Sequence, residues 1–144
     1  MELILNSLDL AENRPLDGYS SGGELYFAVD DGFFPGEHWY DCAYTDLKIW
    51  LPRLTSFSSN HTDSCELSFM DGPYIIRLNR RDDGAVFAEF LRERTILSQH
   101  NVDLRRLLKS VLAACRKYDR FLYDNGAPNQ FTEEIRILKT LLDT

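Results

Sequence analysis

The sequence lacks the short motifs on which most enzymatic activities and cofactor sites depend. None of its three histidines has a second histidine at metal-binding spacing, and none of its three cysteines belongs to a CxxC pair. There is no GxSxG motif, and the stretch Ser21-Gly22-Gly23 precedes a predicted strand rather than a helix, unlike a P-loop. We therefore predict a protein without catalytic residues, metal ligands or a cofactor.

Disulfide patterns and long apolar segments are also missing. Cys42, Cys65 and Cys115 are odd in number and widely spaced, which is typical of reduced thiols in the cytosol. The first six residues contain no basic region, and no apolar stretch approaches the ~20 residues that cross a bilayer. We expect a soluble cytoplasmic protein in which residues 1–144 form a single domain.

Charge is distributed unevenly along the chain. Residues 1–66 hold 12 Asp and Glu against three basic residues, Arg14, Lys48 and Arg53, which is a net charge of −9. Residues 67–144 hold 11 acidic and 13 basic residues, and their net charge of +2 brings the total to −7. An acidic, aromatic-rich half favours a surface that a cationic macromolecule recognises.

Alternating apolar and polar residues predict several short strands separated by turn residues. The predicted strands are Leu3–Leu5, Glu24–Asp30, His38–Tyr44, Cys65–Met70, Tyr74–Leu78 and Ala85–Arg94. Residues 9–23 are rich in Gly, Ser and Pro, so we expect an exposed loop there. Short turns between consecutive strands favour antiparallel pairing.

Three segments have the apolar spacing of helices. The first, 46–57, follows the capping residues Thr45-Asp46 and contains Pro52, which predicts either a kink or a new helical turn. The second, 102–123, has a continuous apolar stripe, and the third, 133–142, follows the predicted cap Thr132. This pattern predicts an α+β fold, with one twisted antiparallel sheet of five or six strands and two or three helices packed on one face.

Acidic and aromatic residues alternate closely in the segment around 30–41. Carboxylates attract a basic partner, and large rings supply the desolvated contact area of interaction hot spots. The predicted partner-binding residues are Asp30, Asp31, Phe34, Glu37, Trp39 and Asp41. Taken singly, the pair Asp30-Asp31 before Gly32 also fits an ordinary solvated turn, and it is the aromatic neighbours that favour binding.

Two other functions remain open from the residues alone. A small hydrolase would use His38 or His61 as its base, which requires a carboxylate or hydroxyl within about 3 Å in a pocket. A nucleic-acid-binding adaptor would use the basic residues of segment 102–123, namely Arg105, Arg106, Lys109, Arg116, Lys117 and Arg120. The net charge of −7 favours pairing of these residues with the acidic half instead.

The segment from Trp39 to Leu78 carries a family resemblance. It combines an aromatic strand with Leu47-x-x-Trp50-Leu51-x-x-Leu54, and then Leu67-x-Phe69 followed by Asp71-Gly72-Pro73 and another apolar strand. This segment, about a quarter of the chain, resembles small bacterial immunity proteins of cell-wall-associated and contact-dependent toxins. The resemblance implies a cytosolic α+β protein without catalytic activity that neutralises a toxin domain, often a basic nuclease. That family has no fixed binding motif, so the resemblance assigns no role to an individual residue.

Overall fold

The computed structural model describes residues 1–10 and 21–143, which form eight strands and three helices. In chain order they are β1 (Glu2–Leu10), β2 (Ser21–Val29), β3 (Gly32–Phe34), β4 (Tyr40–Asp41), α1 (Ala43–Ser58), β5 (Ser64–Ser68), β6 (Tyr74–Arg80), β7 (Val86–Arg92), β8 (Thr95–Val102), α2 (Leu104–Asp124) and α3 (Thr132–Leu142). The α+β class predicted from the sequence is confirmed.

The strands form two antiparallel sheets of four strands each, so the prediction of one sheet of five or six strands is wrong. In the first sheet, β2 pairs with β1 on one side and with both β3 and β4 on the other. The second sheet is the meander β5-β6-β7-β8. Alternation predicts that a segment is a strand, but it does not identify the partner, and α1 separates the two groups of strands.

The two sheets meet through aromatic side chains. Phe34 of β3 stacks on Phe90 of β7 with ring centroids 4.4 Å apart. Trp50 of α1 lies between the sheets, with its ring centroid 5.7 Å from that of Phe27 and 5.0 Å from that of Phe69. Its indole N–H donates to the Ser68 carbonyl at 2.8 Å, so the polar edge of this buried ring is also satisfied.

Helix α1 differs from its prediction at both the start and the proline. It begins at Ala43 with Cys42 as its N-cap, and only Tyr40–Asp41 of the predicted strand 38–44 is extended. Pro52 lies inside one continuous helix rather than at a break. Its ring is exposed, so the carbonyl that loses its N–H donor lies on the side of the helix nearest to solvent.

Helix α2 covers the edge of the first sheet. Ser110 accepts the Leu3 N–H at 2.8 Å, and Lys117 donates to the Leu5 carbonyl at 2.6 Å. Asp103 caps the helix by accepting from the Arg106 N–H at 3.1 Å. None of the helices in the described ranges is long and apolar enough to span a membrane.

Three segments differ from the sequence predictions. Thr132 is the first residue of α3 rather than its cap, because the buried Phe131 occupies the N-cap position. Strand β8 was not predicted, because its exposed mixture of polar and apolar residues has no apolar face. Of the predicted loop 9–23, the ends belong to β1 and β2, and residues 11–20 lie outside the described residues.

Candidate protein-binding surface

The first sheet has a buried face and an outer face, which strand alternation determines. Leu25 and Phe27 of β2 point into the core, whereas Glu24 lies on the opposite side. Tyr40 pairs with Glu24, and Phe33 pairs with Ala28, so these two rings share the outer face. Their side chains are 49% and 43% exposed, respectively. The outer face therefore presents two large rings to solvent.

The carboxylates that accompany these rings form no ion pair with a described Lys or Arg. Residues 1–10 and 21–47 contain no Lys or Arg. Asp30 and Asp31 are exposed in the turn between β2 and β3, and Glu37 is exposed between β3 and β4. Within the described part of the chain, none of these three carboxylates forms an ion pair with Lys or Arg. Arg106 forms an ion pair with Glu2 at 2.7 Å, and Glu2 is the main cause of the raised pKa of Arg106, to which Asp30 adds a smaller contribution.

His38 is the one basic group that contacts these carboxylates among the described residues. Its Nδ1 lies 2.7 Å from Glu24 Oε1, and its Nε2 lies 3.6 Å from Glu37 Oε1. The His38 side chain is 67% exposed, and its backbone has a φ of +63°, in the left-handed region that few non-glycine residues adopt. The imidazole therefore lies between two carboxylates on the open face of the sheet.

We call this outer region the acidic surface. It consists of Glu24, Asp30, Asp31, Phe33, Glu37, His38 and Tyr40. Glu24 lies within β2, and Asp30 directly follows the end of that strand at Val29. At the β4 end, the Tyr40 hydroxyl donates to Asp9 at 2.6 Å, which adds a further exposed carboxylate. Contacts with His38 and Tyr40 therefore connect Glu24, Glu37 and Asp9 to the outer face.

Two predicted binding residues, Phe34 and Asp41, are buried and belong to the core instead. Phe34 faces inward from β3 and stacks on Phe90, and Asp41 faces inward from β4 with no exposed surface. Their outward neighbours Phe33 and Tyr40 take the surface positions. The correction follows from strand alternation, since one residue of each adjacent pair must face the core. The sequence pattern contains this signal, although the predicted binding residues include neither Phe33 nor Tyr40.

Trp39 is half-buried at the margin of the acidic surface. Its ring packs edge-on against Tyr74 with centroids 5.3 Å apart, and its Nε1 donates to Asp41 Oδ2 at 2.8 Å. A Cβ atom added to Gly72 would lie 3.2 Å from the Trp39 ring, so the turn after β5 packs closely against this ring. Trp39 thus joins the two sheets and leaves only part of its ring for contact with a partner.

Asp41 connects β4 to the turn between β5 and β6. Oδ1 accepts from the N–H groups of Cys42 at 2.8 Å and Met70 at 3.2 Å, and Oδ2 accepts from Asp71 N at 3.2 Å. With the Trp39 indole, four donors surround one carboxylate. These four hydrogen bonds compensate for the removal of the Asp41 carboxylate from water.

Asp46 of α1 lies beside Asp41 and is also fully buried. Its Oδ1 accepts from Met70 N at 3.1 Å, and its Oδ2 has no donor among the described residues. Burial raises the pKa of Asp46 to about 10, and hydrogen bonding and repulsion from Asp41 act in the same direction. At neutral pH, Asp46 therefore keeps a proton, which its carboxyl donates to Asp41.

Cys42 and Asp71 border this carboxyl pair. The Cys42 Sγ lies 3.9 Å from Asp71 Oδ1, and burial, followed by Asp71, raises the pKa of the thiol. A protonated thiol is a poor nucleophile and a poor metal ligand. Asp41, Cys42 and Asp71 present donor atoms within 4.8 Å of one another, but Asp41 already accepts four hydrogen bonds. We therefore interpret this cluster as a structural contact that joins β4 to the turn between β5 and β6.

His38 and His100 meet the distance condition for a general base, but neither lines one of the surface grooves described below. His38 approaches Glu24 to 2.7 Å, and His100 Nε2 lies 3.0 Å from Ser98 Oγ on β8. His61 is exposed in the connection that follows α1. Of five pronounced surface grooves formed by described residues, none is lined by a histidine. The geometry around these histidines gives a substrate no enclosure.

The basic residues of α2 are partly used within the molecule. Arg106 pairs with Glu2, Lys117 binds Leu5 O and Asn6 Oδ1 at 2.6 Å each, and Arg120 pairs with Asp124 at 3.2 Å. The predicted pairing with the acidic half is confirmed for Arg106. These contacts interrupt the basic stripe that a nucleic acid would need.

A matched pair of phenylalanine variants tests the assignment of buried and outer rings. We expect Phe34→Ala to lower the free energy of unfolding by about 3–4 kcal/mol, because it leaves a cavity against Phe90. Phe33→Ala should change it by less than ~1 kcal/mol, since its ring is 43% exposed. Urea unfolding followed by tryptophan fluorescence measures both values. Equal losses would show that the two faces of β3 are assigned incorrectly.

Comparisons of the chain with protein-family models, curated proteins and solved structures give no match.

Proposed function

We propose that this protein is a non-enzymatic binding module of the immunity type, which docks a cationic toxin domain on its acidic surface in the cytoplasm and neutralises it. The observation that carries the proposal is the set of three exposed carboxylates, Asp30, Asp31 and Glu37. They extend from a sheet whose described strands contain no Lys or Arg. A partner with exposed Lys or Arg side chains matches that charge.

Electrostatic attraction supplies speed and selectivity to such a complex. Exposed charges of one sign raise association rates by 10-fold or more and disfavour partners of the same sign. Carboxylates without a Lys or Arg partner suit this role, since no ion pair with such a residue has to break before binding. The His38 contacts with Glu24 and Glu37 are solvent-exposed and exchange easily for contacts with a partner's guanidinium.

Aromatic rings supply the contact area that charges cannot. Phe33 and Tyr40 are large, exposed and flanked by carboxylates, which is the composition typical of interaction hot spots. Tyr26 supports Phe33 from the sheet, with ring centroids 5.7 Å apart in an edge-on arrangement. Each ring therefore reaches a partner with little conformational freedom left to lose.

The buried carboxyl pair holds one end of this surface in place. Tyr40 and Asp41 are neighbours in β4, and Asp41 is fixed to the turn at Met70 and Asp71. A strand of two residues has few ladder hydrogen bonds of its own, so this anchoring determines where Tyr40 points. A preorganised surface binds more tightly than a mobile one.

A growth assay tests the function directly. Affinity capture on the full-length protein from its native cells identifies the partner, which we expect to be a basic protein. Expression of that partner alone should arrest bacterial growth, and co-expression with this chain should restore it. The triple variant Asp30→Asn, Asp31→Asn, Glu37→Gln should fail to protect at equal expression. An acidic partner, or full protection by the triple variant, would refute the proposal.

A further inference from the structure

Strand β8 is the unprotected sheet edge in the described part of the chain. The edge at β1 is covered by α2, through Ser110 and Lys117. The edge at β5 is covered by α1, from which Arg53 donates to the Glu66 carbonyl at 2.9 Å. The edge formed by β3 and β4 is short and interrupted. By contrast, β8 pairs with β7 alone, and no other described residue forms a hydrogen bond with its backbone.

The composition of β8 also lacks the usual protection against edge pairing. Thr95–Val102 contains no Asp, Glu, Lys, Arg, Pro or Gly. Ile96 and Leu97 are 46% and 54% exposed. Proteins commonly place charged residues or proline at a free edge, because an exposed apolar edge pairs with other strands. An uncharged strand of eight residues at such a position favours association.

One bulge divides the strand. Phe90 pairs with Ser98 and Leu91 pairs with Ile96, so Leu97 is the extra residue. From Ser98 to Val102 the ladder with β7 is regular, and the exposed Gln99 and Asn101 lie on its outer face. This regular portion leaves its outward N–H and C=O groups available for a further strand.

We propose that β8 pairs antiparallel with β8 of a second copy of this chain, around a twofold axis near Gln99, which joins the two second sheets into one eight-stranded sheet. Such an interface is isologous, so the strand must complement itself. Its central part is uncharged, and its ends carry opposite charges, with Arg94 before the strand and Asp103 after it. Antiparallel pairing around Gln99 brings Arg94 of each copy to within one residue position of Asp103 of the other.

This self-association goes beyond the proposed toxin-binding function and does not depend on it. It uses the β8 edge of the second sheet, whereas the acidic surface lies on the first sheet.

A charge-exchange experiment with the full-length protein tests this proposal. In the twofold arrangement, the two Gln99 side chains lie on the same face within about 8 Å of each other. Gln99→Lys and Gln99→Glu should each weaken self-association at least 10-fold through like-charge repulsion. An equimolar mixture of the two variants should restore it as a heterodimer. Sedimentation equilibrium up to millimolar concentration measures the mass, which should rise towards twice the 16.7 kDa monomer in wild type and in the mixture.

Several outcomes would overturn the β8 interface. Wild-type protein that stays at 16.7 kDa over the whole concentration range excludes the dimer. A dimer that survives Gln99→Lys uses another surface. A monomeric wild type whose binding to a captured partner is weakened by Gln99→Lys shows that β8 receives a strand of that partner instead. Thermal unfolding of each variant confirms that the exposed Gln99 can be changed without loss of the fold.

Discussion

Replacing Asp41 by Asn is expected to lower the free energy of unfolding by about 3–4 kcal/mol at pH 7. Each oxygen of the Asp41 carboxylate accepts hydrogen bonds from two N–H donors. The amide of Asn has one oxygen and one NH₂ group. Two of the four N–H donors around position 41 would therefore point at the NH₂ group and lose their acceptor. Urea unfolding of the variant measures the loss.

Asp46→Asn should have the opposite effect. The introduced amide keeps an oxygen for Met70 N and places an NH₂ group where the protonated carboxyl donates to Asp41. Asp46 has a raised pKa in the folded state, so its contribution to stability is complete below pH ~4 and is lost as pH rises towards 10. The Asn side chain does not titrate. We expect Asp46→Asn to stabilise the protein by about 1–3 kcal/mol at pH 8.

The difference between the two variants is the informative quantity. Measured from pH 5 to pH 9, the stability advantage of Asp46→Asn over wild type should increase with pH. Asp41→Asn should remain destabilised throughout. If both variants lost similar stability, the proton would not be held by Asp46, and the description of the junction between the two sheets would need revision.

Neutralising Asp30, Asp31 and Glu37 together is expected to slow association with a cationic partner by about 10- to 100-fold at low salt. The three carboxylates are exposed and form no ion pair with a described Lys or Arg, so their field reaches an approaching molecule. The substitutions to Asn and Gln preserve shape and polarity. Stopped-flow or surface-based kinetics with the captured partner measures the rate constant.

A matched control separates the local field from the net charge. The variant Asp63→Asn, Asp82→Asn, Asp83→Asn removes the same number of exposed charges from connections that flank β5, β6 and β7. It should reduce the association rate by less than about threefold. Equal slowing by the two triple variants would mean that overall charge, and not the acidic surface, attracts the partner.

Local patterns were sufficient to predict the secondary structure of much of the chain. The apolar stripe of 102–123 corresponds to α2, and alternation identified β2, β5, β6 and β7. The predicted antiparallel pairing of consecutive strands is confirmed for β5, β6 and β7. The pairing within the first sheet was not predictable from these patterns, because β3 and β4 share one partner, β2, and α1 follows directly. Strand β8 was not predictable from alternation, because an exposed edge strand lacks an alternating apolar face.

The candidate site was predictable in composition but not in orientation. The segment around 30–41 was identified by its mixture of acids and rings, and Asp30, Asp31 and Glu37 are exposed in the structure. Distinguishing Tyr40 from Asp41 required the register of β4 against β2, which places one outward and the other inward. A buried carboxylate is uncommon, so its position in the core depends on donors brought by a distant turn.

The dependence of association rate on ionic strength tests the central proposal most directly. For the wild-type protein and its captured partner, the logarithm of the rate constant should fall steeply as salt rises from about 20 to about 500 mM. The Asp30, Asp31 and Glu37 triple variant should show a nearly flat dependence, while the control triple variant keeps the steep one. A wild-type rate that does not change with salt would contradict recognition of a cationic partner by the acidic surface.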